Sequence, residues 1–550
     1  MEQVQTTNPS DKPIGDAPGG GENTNVSYSG ATTISADEEI TGKTYSSTKG
    51  AENALLISGG KVVLDGVLVE KTGDDSGDSS DFYGTNAAIL AYNDADVTIT
   101  SSRVRTDGGH ANAVFAYGGA VIDISDSTIN TSSNNSGGIM VTGGGTINAS
   151  NLDVSTEGNS AAPIRSDRGG GTITVENGSY LSQGVGSPAI YSTANITVKR
   201  ASLTSQVSEG VVIEGKNSVT LENTTLEATN NKLNGQSETY KTIFIYQSMS
   251  GDASEGTGTF TAEGSLITSN NGDVFFVTNT DALINLSGNK FVQNDENGAF
   301  LRASTSAWGN AGRNGGQVTL NATDQEIIGD VAVDSISSLT MQMEHSYFKG
   351  SFIGDGNVSL TVSEDSIVVL TADSYITELN DSDSSYENIY SNGYKLYVGG
   401  AEVAVNTEAA PESFLEFDES NLVGEEVEVI AETTTSVPTN SSSGFPTWGY
   451  FVIGGGIIAL IIAIVVVCVM ARKKKASSTL PTRPDNSMDT PNIADAMGMN
   501  TGSVGGSANS STSGSVGGSD SGSVDRSANT NGDSNPFEKP DHPPVFGNNG

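Results

Sequence analysis

The residues that could do chemistry in this 550-residue chain are few and lie far apart in the sequence. Arg165, Asp167 and Arg168 concentrate charge just before a run of glycines. An arginine there could grip a sugar or a carboxylate, whereas an Arg–Asp pair at a chain corner would be structural. Trp308 could stack on a sugar ring, or it could pack only its own loop. We predict Arg165, Asp167, Arg168 and Trp308 as candidate ligand-binding residues, and both interpretations stay open.

An acidic segment is the only candidate metal site. Asp74, Asp78 and Asp81 have a spacing that could suit Ca²⁺, although the segment lacks the full EF-hand pattern, and a solvated acidic loop is the simpler interpretation. A Cys/His metal site is excluded because the chain has one cysteine and three histidines. We therefore expect no cofactor, with Ca²⁺ as the one exception to test.

Catalytic motifs are not evident in any local run of residues. An enzyme acting on polysaccharides would need clustered carboxylates with a base, or two carboxylates in acid and base roles. Asp96, Asp123 and Asp153 could converge only if their unequal steps kept one register, which the repeat described below does not favour. We therefore expect binding rather than catalysis, with an active site between repeats as the alternative.

The charge balance excludes some partners. The chain has 26 basic and 66 acidic residues, which gives a net charge of −40. Such a surface should repel nucleic acid and acidic polymers, so we predict no nucleic-acid partner. The single cysteine, Cys468, lies in an apolar run, so no intrachain disulfide can form.

A unit of three short strands and three turns organises residues 113–133. Its middle strand alternates apolar and polar residues, as a half-buried strand does. Similar strands recur in steps of about 19 to 26 residues, the range of stacked-coil architectures. They are Val97–Ile99, Thr146–Asn148, Ile173–Val175, Ile196–Val198, Val219–Leu221, Phe260–Ala262, Ile284–Leu286, Val318–Leu320, Leu339–Met341 and Val358–Leu360. Longer steps coincide with polar insertions near 71–86, 230–257 and 303–316.

One coil of this kind cannot bury its own apolar face, so the coils must stack. Each strand then pairs in parallel with its counterpart one coil on, with apolar residues inward and Thr, Ser, Asn and Asp outward. Gly or Asn would supply the corners that need positive φ. The prediction is an all-β solenoid of about 13 coils, roughly 60 Å long.

Five segments carry a resemblance to a known family. They are Asn53–Leu64, Gly138–Asn148, Arg165–Val175, Pro188–Val198 and Val211–Leu221. The pattern resembles the right-handed parallel β-helix of the pectin-lyase-like superfamily and, more narrowly, the adhesin-like repeat surface proteins of gut clostridia. The resemblance covers residues from about 40 to 400. It implies the fold but no activity, because this superfamily includes lyases, hydrolases, adhesins and inert stalks.

The composition divides the chain into five parts. They are a disordered N-terminal segment (1–30), the β-helix ectodomain (31–404), an acidic and then Ser/Thr/Pro-rich stalk (405–447), a transmembrane helix (448–471) and a disordered cytosolic tail (472–550). The first residues lack the basic and apolar regions of a signal peptide. Either a signal lies upstream or has been removed, or the apolar segment itself directs insertion.

The apolar segment fits one bilayer span. Trp448 and Tyr450 lie at one edge, and a basic cluster lies at the other: Arg472, Lys473, Lys474 and Lys475. This asymmetry predicts a single-pass protein of the cell membrane with its N-terminal region outside and its tail in the cytosol. In that tail, Asn535, Pro536 and Phe537 form the short peptide that EH-domain adaptors recognise, or a chance match.

Together these features favour a display protein. We expect an adhesin-like β-helix that binds glycans or cell-surface proteins without catalysis. The alternative is a membrane-anchored polysaccharide lyase or glycoside hydrolase of the pectin-lyase-like fold, and an inert spacer is third. Twelve Asn-X-Ser/Thr sequences precede the apolar segment and would carry sugars in a host that glycosylates asparagine.

Overall fold

The computed structural model describes residues 26–422, except 236 and 249. Within that range, no helix is both long and apolar enough to cross a membrane. The predicted span 448–471, its flanking residues Trp448, Tyr450 and Arg472 to Lys475, and the peptide 535–537 lie outside the described residues. The anchor, the tail and their partners therefore stay predictions.

Nearly all regular secondary structure in the described chain is β-strand, arranged in long parallel sheets in which adjacent strands are three apart in chain order. The first sheet has 13 strands: Gly30–Ile34, Asn53–Ile57, Ile89–Ala91, Val114–Tyr117, Ile139–Thr142, Ile164–Ser166, Ile190–Ser192, Val211–Glu214, Lys241–Tyr246, Asp273–Thr278, Leu301–Ala303, Val331–Val333 and Phe352–Ile353. The second has 14: Glu38–Thr41, Lys61–Asp65, Asp96–Thr100, Val121–Ser125, Gly145–Ser150, Gly171–Glu176, Asn195–Lys199, Ser218–Glu222, Thr257–Glu263, Thr280–Ser287, Gly316–Thr323, Ser338–Glu344, Asn357–Val362 and Glu378–Asp381.

The remaining strands form a third side and one end. The third sheet has 10 strands: Thr44–Ser47, Leu68–Lys71, Arg103–Thr106, Thr128–Thr131, Asp153–Thr156, Ser179–Ser182, Ser202–Ser205, Thr225–Ala228, Leu266–Ser269 and Lys290–Gln293. A four-stranded fourth sheet comprises Glu326–Ile328, Tyr347–Gly350, Ile367–Leu370 and Ile389–Tyr390. A fifth comprises Ser374–Ile376, Leu396–Val398 and Ala401–Val403. This topology is consistent with a parallel β-helix and confirms the prediction of an all-β chain with stacked parallel strands.

The register of the strands explains the core. Ile122 pairs with Val97 on one side and Ile147 on the other, and all three are fully buried. Like residues thus stack along the axis, and each coil buries the apolar face of its neighbour. Every sequence-predicted middle strand falls inside a strand of the second sheet.

The corner between the second and third sheets is a tight turn with a residue in the left-handed region. Asp126 and Asn151 have φ of 51° and 52°, and Asn177 has φ of 59°. The Asn151 amide donates to Asp126 at 3.0 Å, and the Asn177 amide donates to Asn151 at 3.1 Å. Asn and Asp tolerate this conformation and hydrogen-bond locally, so they stack as a ladder at the corner.

The first sheet differs from the prediction because its outward residues are buried over nine coils, and all of them except Arg165 are apolar or aromatic. The outward row runs in register through Leu56, Leu90, Phe115, Met140, Arg165, Tyr191, Val212, Phe244 and Phe276. The polar insertions cover it. A helix, Asp78–Tyr83, lies in the first insertion, and Trp308 of the last insertion packs in a buried cluster with Tyr191, Phe244, Tyr246 and Phe276. The expectation of polar outward residues is thus wrong for this sheet, since the insertions bury its outer face.

The C-terminal end is closed by a change of direction. Ala401–Val403 pairs antiparallel with Leu396–Val398. The chain then returns along the fourth sheet, where the Tyr347 hydroxyl donates to the Pro411 carbonyl at 3.1 Å and the Phe414 ring lies 4.9 Å from the His345 ring. The first part of the segment predicted as a stalk therefore lies against the coils. A final 3₁₀ turn spans Glu419–Leu422.

Candidate functional site

A groove opens where the first sheet turns into the second, and we call it the corner groove. It has a volume of about 330 Å³. The turns of three successive coils line it (168–171, 193–195 and 216–217), and the insertion loop 251–254 forms its rim. Three turns on a rigid stack hold these groups in fixed relative positions, as a binding site requires.

Arg168 joins the two insertions beside this groove. Its Nε donates to Asp252 Oδ1 at 2.5 Å, and its Nη1 lies 3.8 Å from Asp78 Oδ2. Its guanidinium carbon lies 3.8 Å from the centre of the Phe82 ring, a cation–π contact. The arginine therefore fixes both the helix of the first insertion and the loop of the second at the edge of the groove.

Arg165 and Asp167, which the sequence suggested as ligand-binding residues, form a buried ion pair next to Arg168. Arg165 Nη2 lies 3.2 Å from Asp167 Oδ2, and its Nη1 donates to the Ser160 carbonyl at 3.0 Å. Burial raises the pKa of the Asp167 carboxyl to about 7, although Arg165 opposes this. Both side chains are buried, so the structure places the pair under the groove surface rather than on it.

A second buried carboxyl was missed by sequence reasoning. Glu214 accepts hydrogen bonds from the Tyr191 hydroxyl at 2.7 Å, the Tyr246 hydroxyl at 3.1 Å and the Ser248 hydroxyl. Burial raises the pKa of Glu214 despite these bonds, and it also raises the pKa values of both tyrosines. The only sequence signal was a glutamate closing an apolar strand, and nothing in the sequence showed that an insertion would cover it.

Trp308 is buried in this same region. Its ring makes an edge contact with Tyr246, with 5.0 Å between ring centroids, and only 4% of the residue is exposed. The ring therefore packs an insertion against the first sheet and presents little surface to a ligand. A sugar-stacking role for Trp308 would require this loop to move.

The three calcium candidates are engaged by protein groups. Asp74 accepts the Gly109 amide at 2.8 Å, and the two oxygens of Asp81 lie 2.8 and 2.9 Å from His110 Nδ1. Asp78 faces Arg168. No group of three or more acidic, histidine or cysteine side chains is placed to hold a metal in the part of the chain that the structure describes. A calcium role stays a prediction.

The carboxylates Asp96, Asp123 and Asp153 do not share a row. Asp96 and Asp123 occupy different rows of the second sheet, since Asp96 pairs with Val121, and Asp153 lies on the third sheet. Two other carboxylates, Asp167 and Glu214, lie at or just after the ends of first-sheet strands two coils apart, Ile164–Ser166 and Val211–Glu214.

Comparison with known proteins identified no relative of this chain. No protein-family model, no curated protein and no solved structure matches the chain. The arrangement itself offers an open polar groove above two enclosed carboxyls. It can bind a polar ligand through fixed donors and acceptors, whereas the enclosed carboxyls do not reach solvent.

Proposed function

We propose that this protein is a cell-surface, adhesin-like protein that displays a right-handed parallel β-helix on a single-pass anchor and binds glycans or surface proteins without catalysis. The observation that carries the proposal is the contrast between the open corner groove and the two enclosed carboxyls, Asp167 and Glu214. Right-handed winding is expected because parallel crossover connections are right-handed in nearly all proteins. The anchor, the orientation and an EH-type adaptor for the tail come from the sequence alone.

The lining of the corner groove suits a polar ligand. Lys216 and Asn195 are exposed, and Asn217 is half-buried. Gly170 has φ of 58°, and a Cβ there would lie 2.8 Å from the Thr193 carbonyl oxygen. Glycine at this turn therefore lets the backbones of adjacent coils lie close together under the groove. A sugar or a polar peptide loop meets these conditions.

A polysaccharide hydrolase is the second candidate, supported by Asp167 and Glu214. Both pKa values are raised, as that of a general acid must be, and the two carboxyls lie two coils apart on the first sheet. However, Asp167 is 2% exposed and Glu214 is 1% exposed. Hydrolysis would require the loop 250–256 to open, so the burial of both carboxyls favours binding without turnover.

The test incubates the purified full chain with a panel of polysaccharides and measures both retention and product release, with and without a Ca²⁺ chelator. We expect retention without product, with at least one polysaccharide whose retention is lost in both Arg168→Ala and Lys216→Ala. Lys290→Ala, on the third sheet, is the matched control and should retain ligand.

Three results would contradict the proposal in different ways. Product release that Glu214→Gln abolishes would establish the hydrolase. Product release that chelation abolishes would establish a lyase. If the protein retained no glycan and did not bind to cells, the inert-spacer hypothesis would be favoured.

A further inference from the structure

A second and larger groove lies along the outer face of the third sheet, away from the corner groove. Its volume is about 570 Å³, and it crosses five successive coils. With strands about 4.8 Å apart, five coils span about 19 Å along the axis. We call it the axial groove, because a ligand in it would lie parallel to the solenoid axis.

Two rows of outward side chains form the walls of the axial groove. The first row follows the strand register through Ser46, Glu70, Arg105, Asn130 and Ser155. The second row is formed by the first residue after each strand: Thr48, Thr72, Asp107, Ser132 and Glu157. The walls therefore present hydrogen-bonding groups at the repeat distance of the coils.

All fourteen lining residues are polar or charged, and none is aromatic or aliphatic. A protein partner would need apolar or aromatic anchors to gain affinity, and this groove offers none. The strand backbones are already paired in the parallel sheet, so an added peptide strand has no free edge to bind here.

The charges exclude an acidic ligand. Three carboxylates line the groove, Glu70, Asp107 and Glu157, against the single exposed cation Arg105. The other cation, Lys71, is fully buried and donates to the Lys49 and Gly73 carbonyls at 2.7 and 2.6 Å. Its charge is therefore used inside the coil rather than presented to a ligand.

We propose that the axial groove binds a linear, uncharged oligosaccharide that lies along the solenoid. Such a ligand carries hydroxyl groups at regular intervals and no net charge, so it can exchange hydrogen bonds with both walls. Each contact is weak and exposed, so affinity comes from the number of coils spanned. This site is separate from the corner groove and does not depend on it.

The test uses the full chain, purified in a detergent without a sugar headgroup, and measures binding by calorimetry. The probes are the disaccharide and hexasaccharide of three neutral series (cello-, manno- and xylo-oligosaccharides), with hexagalacturonate as the acidic comparison. We expect at least one neutral hexasaccharide to bind, its disaccharide to bind on the order of tenfold more weakly or not at all, and hexagalacturonate not to bind.

Variants then locate the site. Asn130→Trp fills the groove and should abolish binding. Asn130→Ala should weaken binding, and this variant keeps the test valid if the tryptophan side chain disturbs the fold. Thr204→Trp is the matched control, since Thr204 lies in the same row two coils beyond the groove. Arg168→Ala should leave this binding unchanged, which separates it from the corner groove.

Any of three results would overturn the proposal. These are binding of no neutral hexasaccharide, equal binding by Asn130→Ala and the wild type, and a loss of binding in Arg168→Ala or Thr204→Trp. Binding of hexagalacturonate would also do so, because it would contradict the charge argument.

Discussion

Replacement of Ile173 by alanine tests whether one continuous apolar column supports the coils. Ile173 is fully buried and pairs with Ile147 and Ile196 on the adjacent coils. The change removes three carbon atoms, which costs about 2.4 kcal/mol at about 0.8 kcal/mol for each. The parallel ladders hold the neighbouring coils apart, so the cavity cannot close and adds a further term. We expect a total loss of about 3–5 kcal/mol.

The assay is native-state hydrogen exchange on the purified chain, because a solenoid need not unfold in one step. Amides of the strands that carry Ile147, Ile173 and Ile196 should lose protection first. Thr174→Ala is the control, since Thr174 is the next residue and faces outward. Its effect should stay within about 0.5 kcal/mol. Equal losses in the two variants, or a loss spread evenly over all coils, would refute the alternating inward and outward pattern.

Three further predictions follow from other parts of the molecule. Because burial raises the pKa of Asp167 to about 7, the native state holds this proton more tightly than the unfolded chain does. Its contribution to stability is therefore present below about pH 4 and is lost as pH rises through 7. Asp167→Asn should flatten this pH dependence of the urea midpoint, and an unchanged slope would contradict the assignment. Trp308→Ala should lower the free energy of unfolding by about 3 kcal/mol in urea because its ring packs on Tyr246, whereas no loss would contradict this packing role. Protease treatment of intact cells should remove an N-terminal tag and spare a C-terminal one, and the reverse would reject the predicted orientation of the span 448–471.

The sequence predicted the second and third sheets well because one of their faces meets solvent. Alternation such as Ile122, Asp123 and Ile124 directly reports which side chains point inward. The first sheet gave a weaker signal, since Val114, Phe115 and Ala116 are all buried and show no alternation. A run buried on both faces says nothing about what covers its outer side.

The candidate site was predictable only in part for the same reason. Arg165, Asp167 and Arg168 stood out because basic residues are scarce, and the structure does bring them to one corner. Asp252 and Glu214 did not stand out, because their importance arises from where the insertion loop folds back over the first sheet. Contacts across many residues of sequence, such as Arg168 with Asp252, leave no local pattern.

The constant sequence separation between paired residues on adjacent coils allows the solenoid to change length by whole coils. Val97, Ile122 and Ile147 follow one another in the same column, and each coil contacts chiefly the coil before and the coil after. A duplication or deletion of one whole coil would therefore preserve every other pairing and change the length by a single step of about 4.8 Å. The length of the solenoid can thus change in steps of one coil, while a groove built from three to five neighbouring coils keeps its shape.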